Sequence, residues 1–381
     1  MAKLPQGFRG AGIAAGIKSS GKRDLALIVN DGPLKYGTAV FTSNQVVAAP
    51  VTWSKQVVKD KEICAVILNS GGANACTGPE GFADTHKTAE YLAAKLAIDS
   101  SDVVVCSTGL IGVRLPMNKI LNGIDAATDS LATDYAEHIA EAIMTTDSHA
   151  KYFEKEFKGV RIFGMAKGAG MLAPSLATML SVIVTDAIVD GEAQVIFHDV
   201  ISQTFDRIDS DGCMSTNDTV TFMASGASGV TLSNEELKAL LLECATYLAY
   251  ELISDAEGHT KIVEIITVNA LTVADAIEVG RSCARNNLLK CALNGGDANW
   301  GRVLAAVGAT TATFDPHTID VSLNDVMVCK SSSPGVDRSE VDLSGKNIRI
   351  LIDLKAGNST GTIWTNDLSA MYVHENSAYS S

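Results

Sequence analysis

The sequence predicts a mixed α/β fold, and three observations point to it. Short apolar, β-branched runs of strand length recur along the chain. Helix-like stretches lie between many of them. From about Val303 onward strand patterns dominate, so the organisation is α+β rather than a repeating βαβ array.

The first strand candidates are LALIVN (25–30), ICAVILN (63–69) and DVVVCS (102–107). Most such runs have Gly, Asn or Ser at or just past the end. Residues 133–144 read as a helix. Residues 148–160 alternate Lys and Glu and read as a surface connection. A loop, KGAGMLAPSLA (167–177), follows. In it Gly168 and Gly170 allow close approach of another group, and Pro174 biases Ala173 toward extended backbone. TMLSVIV, from Thr178, reads as a buried strand. Residues 192–208 read as a helix, and TVTFMAS (219–225) as a strand. Ser233 with Glu236 is a capping-box signature, and 237–253 carry apolar residues at helical spacing. VEIITVNA (263–270) and IRILIDL (348–354) complete the strand candidates. No Pro/Ser/Gly linker separates domains; a structural boundary is placed between about 180 and 230.

The 381 residues suffice for two domains or one large one. Hydrophobic residues make up 46% and charged residues 19%, which supports a sizeable core and argues against disorder. A formal net charge of -14 disfavours nucleic acid and anionic membrane surfaces as partners. The eight cysteines form no CxxC pair, and reduced, buried thiols are expected. MAKLPQGFRG has no apolar signal region, and no apolar run approaches the ~20 residues that span a bilayer. These features predict a cytoplasmic protein.

The loop before Thr178 carries the sharpest chemical suggestion. Cleavage between Ala177 and Thr178 would place the threonine hydroxyl and a free α-amine on adjacent carbons. A threonine hydroxyl is a weak nucleophile and needs a base beside it. A free α-amine titrates near ~8 and supplies one at neutral pH. Read locally, the same residues are an ordinary turn entering a strand. A phosphate loop fits less well, because Lys167 precedes the glycines and the G-x-x-x-x-G-K-[ST] order is absent.

Other segments match a known family in order and at suitable spacing. Ala177-Thr178-Met179-Leu180, led in by Lys167-Gly168-Ala169-Gly170-Met171, resembles the self-cleavage motif of the ornithine acetyltransferase (glutamate N-acetyltransferase) family. So do Ser107-Thr108-Gly109-Leu110-Ile111-Gly112, Met144-Thr145-Thr146-Asp147, Ala256-Glu257-Gly258-His259-Thr260-Lys261 and the C-terminal 372–381. Three more stretches fit without an assigned role: 69–76, 211–219 and 295–302. Gly72, Ser148, Ala150, Met214, His259 and Ala298 depart from the family pattern.

The resemblance implies a self-cleaving enzyme with an α chain, 1–177, and a β chain, 178–381, whose strands and helices share a core. It implies Thr178 as nucleophile and Thr108 with Gly109 as oxyanion donors. Substrate would meet Thr145 (with Thr146 as the alternative), Lys167, Thr178, Glu257, Asn376 and Ser381, with Lys167 on a carboxylate and Glu257 on an ammonium. The acetyl group of N2-acetyl-L-ornithine would pass to L-glutamate in arginine biosynthesis, with no metal or organic cofactor. Acetyl-CoA stands open as a second donor, and the implied assembly is a heterotetramer of two α and two β chains. Two rival readings are an N-terminal-threonine aminopeptidase or amidase, and an uncleaved, non-catalytic binding protein.

Overall fold

The computed structural model describes residues 1–173 and 179–378. Three sheets organise the chain. The first contains β1 (Phe8–Ile13), β2 (Leu25–Asn30), β4 (Ala65–Ser70) and β5 (Val103–Thr108), in that spatial order. The second runs β3-β9-β8-β7-β6: β3 (Tyr36–Phe41), β9 (Thr219–Ala224), β8 (Leu180–Thr185), β7 (Val160–Lys167) and β6 (Lys151–Phe157). The third contains β10 (Ile262–Ala270), β11 (Asp320–Leu323), β12 (Val326–Lys330), β13 (Ser333–Pro334), β14 (Asn347–Asp353) and β15 (Ser359–Asn366). Its order is β13-β12-β11-β14-β10-β15.

The first two sheets face each other. Phe8, Ile28 and Val66 from one meet Phe163, Val182 and Met223 from the other, and the helix Ala136–Ile143 packs into the same cluster. Beyond the first sheet lie the helices Gly78–Leu96 and Met117–Asp129. Beyond the second lie Ala193–Gln203 and Asn234–Ser254. Strands buried on both faces are mostly apolar or β-branched, which is why β2, β4, β5, β8 and β9 read so plainly. The third sheet has its own core, closed by helices Val273–Ala284, Asn287–Asn294 and Trp300–Val307.

The second sheet joins the two halves of the sequence. β7 pairs antiparallel with β8 from Ile162↔Thr185 to Lys167↔Leu180, and β8 runs parallel to β9. One hydrophobic cluster accordingly holds Tyr36, Ile162 and Leu172 together with Met179, Ile183 and Phe222.

The capping box is complete. Ser233 Oγ accepts from Glu236 N at 3.2 Å, and Glu236 Oε2 accepts from Ser233 N at 3.0 Å. Four expectations need correction. Residues 148–160 are not a surface connection: β6 takes up 151–157 and pairs along β7, with Lys151 buried between two carboxylates. The helix expected over 133–144 begins at Ala136, since Tyr135 adopts a left-handed φ of 65°. The helix expected over 192–208 stops at Gln203, where Thr204 leaves helical backbone and a 3-10 turn follows. Three of the eight thiols, Cys76, Cys213 and Cys291, are exposed rather than buried; all eight are free. Among the described residues no helix is long and apolar enough to cross a membrane.

Candidate active site

Thr108 ends β5 and Lys167 ends β7, and the sheet-on-sheet packing brings the two strand ends together. Lys167 Nζ lies 3.2 Å from Thr108 Oγ1, and both residues are buried. Gly109 turns away from the strand at φ +131°, where a side chain is disfavoured. A Cβ there would sit 2.6 Å from Gly72 N, so no larger residue fits without moving the 71–72 turn. That turn holds the strand end: Gly71 N and Gly72 N both donate to Thr108 O, at 2.9 and 3.0 Å.

The loop after Lys167 brings in the third group. Glu257 N donates to Ala169 O at 2.9 Å, and Thr146 Oγ1 donates to Glu257 Oε1 at 2.7 Å. A Cβ on Gly170 would lie 2.7 Å from Glu257 Oε2, so the glycine is what lets the carboxylate approach. Thr108, Gly109, Thr145, Lys167, Glu257 and Asn376 line one cavity of about 380 Å³. Asn376 lies at its exposed rim, on the helix Ala370–Ala378, where its amide donates to Tyr372 O at 3.1 Å. Ala177, Thr178 and Ser381 lie outside the described residues. Gly170 and Met171, which precede the predicted cleavage point, line the same cavity.

Buried charge backs the cavity. Asp147 Oδ1 accepts from Lys151 Nζ at 2.7 Å and from Gly168 N at 2.7 Å, while Oδ2 accepts from Thr145 N at 2.9 Å. Lys151 also reaches Asp255 at 2.5 Å. Burial pushes the Asp147 carboxyl up, but Lys167, Lys151 and the Thr145 N–H outweigh it and hold it at about 2. Burial lowers the Lys167 ammonium, with Asp147 opposing. One carboxylate thus fixes Thr145, the start of the glycine loop and the charge balance around Lys167.

Several residues at the site were not singled out from the sequence. In the sequence Asp147 stands out only as part of its motif, because a buried Asp cannot be told from a helix-end Asp without its partners. Ser215, Thr216 and Asn217 line the cavity from a segment without an assigned role, and Leu110 and Ile111 supply apolar wall. Among the described residues no group of three or more His, Cys, Asp or Glu side chains is arranged to hold a metal ion.

The arrangement can hold a carboxylate at Lys167 and an ammonium at Glu257, and it offers donors to a developing oxyanion. A family model described as the ArgJ family matches residues 9–381. The arginine biosynthesis bifunctional protein ArgJ of Thermobifida fusca is 54% identical over 377 residues, 99% of this chain and 98% of that protein. The protein of the same name from Streptomyces coelicolor is 55% identical with the same coverage. A crystallised ornithine acetyltransferase from Mycobacterium tuberculosis, in complex with ornithine, is 51% identical; it covers 45% of this chain and 93% of its own, with a TM-score of 0.41. With the match running through nearly every element that builds the cavity, the chain belongs to the ArgJ family.

Proposed function

We propose that this chain cuts itself between Ala177 and Thr178 and then carries an acetyl group from N2-acetyl-L-ornithine to L-glutamate on Thr178. The observation that carries this reading is the convergence of Thr108, Gly109, Lys167 and Glu257 on one cavity. The end of strand β5 and the turn after it supply the first pair, strand β7 supplies the lysine, and the glycine loop before the cleavage point brings in the glutamate.

In the uncleaved chain the Thr178 hydroxyl attacks the Ala177 carbonyl. An N-to-O acyl shift gives an ester, and water hydrolyses it. The products, 1–177 and 178–381, stay together because β7 and β8 are neighbours in one sheet. In the mature enzyme the freed α-amine takes the hydroxyl proton as Thr178 attacks the acetyl carbonyl. The Thr108 hydroxyl and the Gly109 N–H donate to the oxyanion. Lys167 Nζ donates to Thr108 Oγ1, which leaves the Thr108 proton to point at the oxyanion. Ornithine departs as its amine, taking the proton. The amine of L-glutamate then attacks acetyl-Thr178 and leaves as N-acetyl-L-glutamate.

Charge complementarity orients both amino acids. Lys167 pairs with the substrate carboxylate, Glu257 with the side-chain ammonium of ornithine, and Thr145, Asn376 and Ser381 add polar contacts. The α and β chains assemble two by two. The test combines intact mass with product analysis. The wild-type chain is expected as two polypeptides that turn acetylornithine and glutamate into N-acetylglutamate; Thr178→Ala is expected as one inactive polypeptide. A processed, active Thr178→Ala chain would overturn the reading. Free acetate as the only product would replace it with the amidase reading. Acetyl-CoA offered as sole donor decides whether a second donor is used.

A further inference from the structure

The segment 211–219 has no role in the chemistry above, yet one of its residues holds the strand end that leads to Thr108 and the next holds Met179. Asn217 is 4% exposed. Its Nδ2 donates to Ser107 O at 2.8 Å and to Ala73 O at 2.6 Å, and its Oδ1 accepts from Thr216 Oγ1 at 2.6 Å. Both amide protons and the amide oxygen are therefore committed, which fixes the side chain. Ser107 immediately precedes Thr108, so Asn217 holds the peptide that leads into the oxyanion donors.

The next residue reaches the other way. Asp218 is fully buried, and its Oδ1 accepts from Met179 N at 2.9 Å. Thr219 N donates to Met179 O at 3.1 Å. Met179 is thereby held at both backbone groups, and its N–H belongs to the peptide it shares with Thr178. The segment itself is anchored: Thr42 N donates to Asp218 O at 2.9 Å, Ala48 N donates to Thr216 O at 3.0 Å, and Thr42 Oγ1 donates to Ser215 O at 2.7 Å.

We propose that Asn217 and Asp218 are paired positioning residues that hold the oxyanion donors at Thr108–Gly109 in register with Met179, the residue that follows the nucleophile proposed above. This inference rests on Thr178 being the nucleophile. The two side chains sit on adjacent residues, so any movement of one strand end relative to the other must break a buried hydrogen bond. Errors of about 1 Å in such a geometry cost on the order of 100-fold in rate. Asp218 Oδ1 serves as the acceptor for the Met179 N–H. Complete burial drives its carboxyl well above the usual carboxylate range, against the opposing pull of the Met179 N–H and Lys167.

A double-mutant cycle tests the Asn217 arm. Asn217→Ala is expected to lower kcat for acetyl transfer by roughly ten- to a hundredfold, with KM for acetylornithine within about twofold. In a Thr108→Ala background the same substitution is expected to cost clearly less than in the wild type, because one of the two donors it positions is gone and only the Gly109 N–H remains. Equal losses in both backgrounds would mean a general structural role and overturn the inference. Asn217→Ser, which keeps one donor, repeats the cycle with less disturbance to folding.

The Asp218 arm is read on self-cleavage, followed by intact mass over time. Asp218→Asn keeps an acceptor and is expected to cleave within about threefold of wild type, whereas Asp218→Ala slows by about tenfold or more. Equal loss in both variants would contradict the acceptor role. Wild-type chain that makes no acetylglutamate removes the functional reading and this inference together. Active wild type with an additive cycle removes the inference alone.

Discussion

The five-stranded sheet, which brings Lys167 to the site, and the six-stranded sheet after it handle buried polarity in opposite ways. In the first, Lys151 on β6 and Lys167 on β7 are both about 1% exposed, each close to Asp147. In the second, the buried polar side chains on strands are Thr267, Thr365 and Asn366, none of them charged. Its core is otherwise Ile, Val and Leu from β10, β11, β12, β14 and β15. Buried charge is costly unless paired, so a sheet that keeps it without need would be selected against by simple energetics. The difference separates a sheet that shapes an electrostatic site from one that holds the fold together.

The comparison breaks most visibly at Lys151. Its ammonium bridges Asp147 at 2.7 Å and Asp255 at 2.5 Å, with its side chain fully out of solvent. Lys151→Ala leaves two carboxylates without their shared cation, and removing one partner of such a network costs about 3–5 kcal/mol. Urea unfolding of the Thr178→Ala chain, which keeps one polypeptide in the proposed scheme, reads this directly. The loss is expected to reach function too, because Asp147 also holds Thr145 N and Gly168 N. A loss below about 1 kcal/mol, typical of an exposed pair, would show that the cluster is solvated and end the contrast between the sheets.

Lys151 also marks where sequence reading stopped. LALIVN was legible because burial on both faces leaves an unbroken apolar run, and IRILIDL because buried Ile348, Ile350 and Ile352 recur at every second position. Ser233 and Glu236 were legible because a capping box is closed by neighbours three residues apart. The Lys/Glu alternation over 148–160 suggested solvent, and nothing local reveals that Asp255, 104 residues away, takes Lys151 into the interior. Asn217 stayed silent for the same reason: its partners, Ala73 and Ser107, are 144 and 110 residues distant. At the site, Thr108, Lys167 and Glu257 could be named through the family's motifs. Their distances, and the carboxylate of Asp147 behind them, come only from the packing of one sheet on another.

Acid sharpens the same contrast with a smaller effect. The Asp147 carboxyl sits at about 2 in the folded chain, against ~3.9 for an unperturbed Asp. A depressed value means that the unfolded chain takes up the proton first, so stability falls as pH drops. The contribution is complete above about pH 4 and is lost as pH approaches 2; a shift of this size is worth about 2–3 kcal/mol. The stability gap between the Thr178→Ala chain and its Asp147→Asn derivative should therefore narrow by that amount between pH 5 and pH 2, values set by the window just given. A gap that stays constant across the window would mean that Asp147 is not held down by the two lysines.

The smallest effect belongs to the apolar sheet. Ile350 lies on β14, between Ile265 of β10 and Leu323 of β11, and is 0% exposed. Ile350→Val removes one methyl group from a packed core and costs about 0.5–1.5 kcal/mol. No residue of β14 lines the cavity that holds Thr108, Lys167 and Glu257. The substitution should lower the unfolding midpoint while kcat and KM for acetyl transfer stay at wild-type values. If kcat fell along with stability, the six-stranded sheet would be coupled to the site, and the division between a sheet for chemistry and a sheet for folding would have to be abandoned. The route for such coupling is visible. β15 bridges to Ile208 through Trp364, and Asp209 N donates to Trp364 O at 2.8 Å, two residues before the segment that holds Asn217 and Asp218.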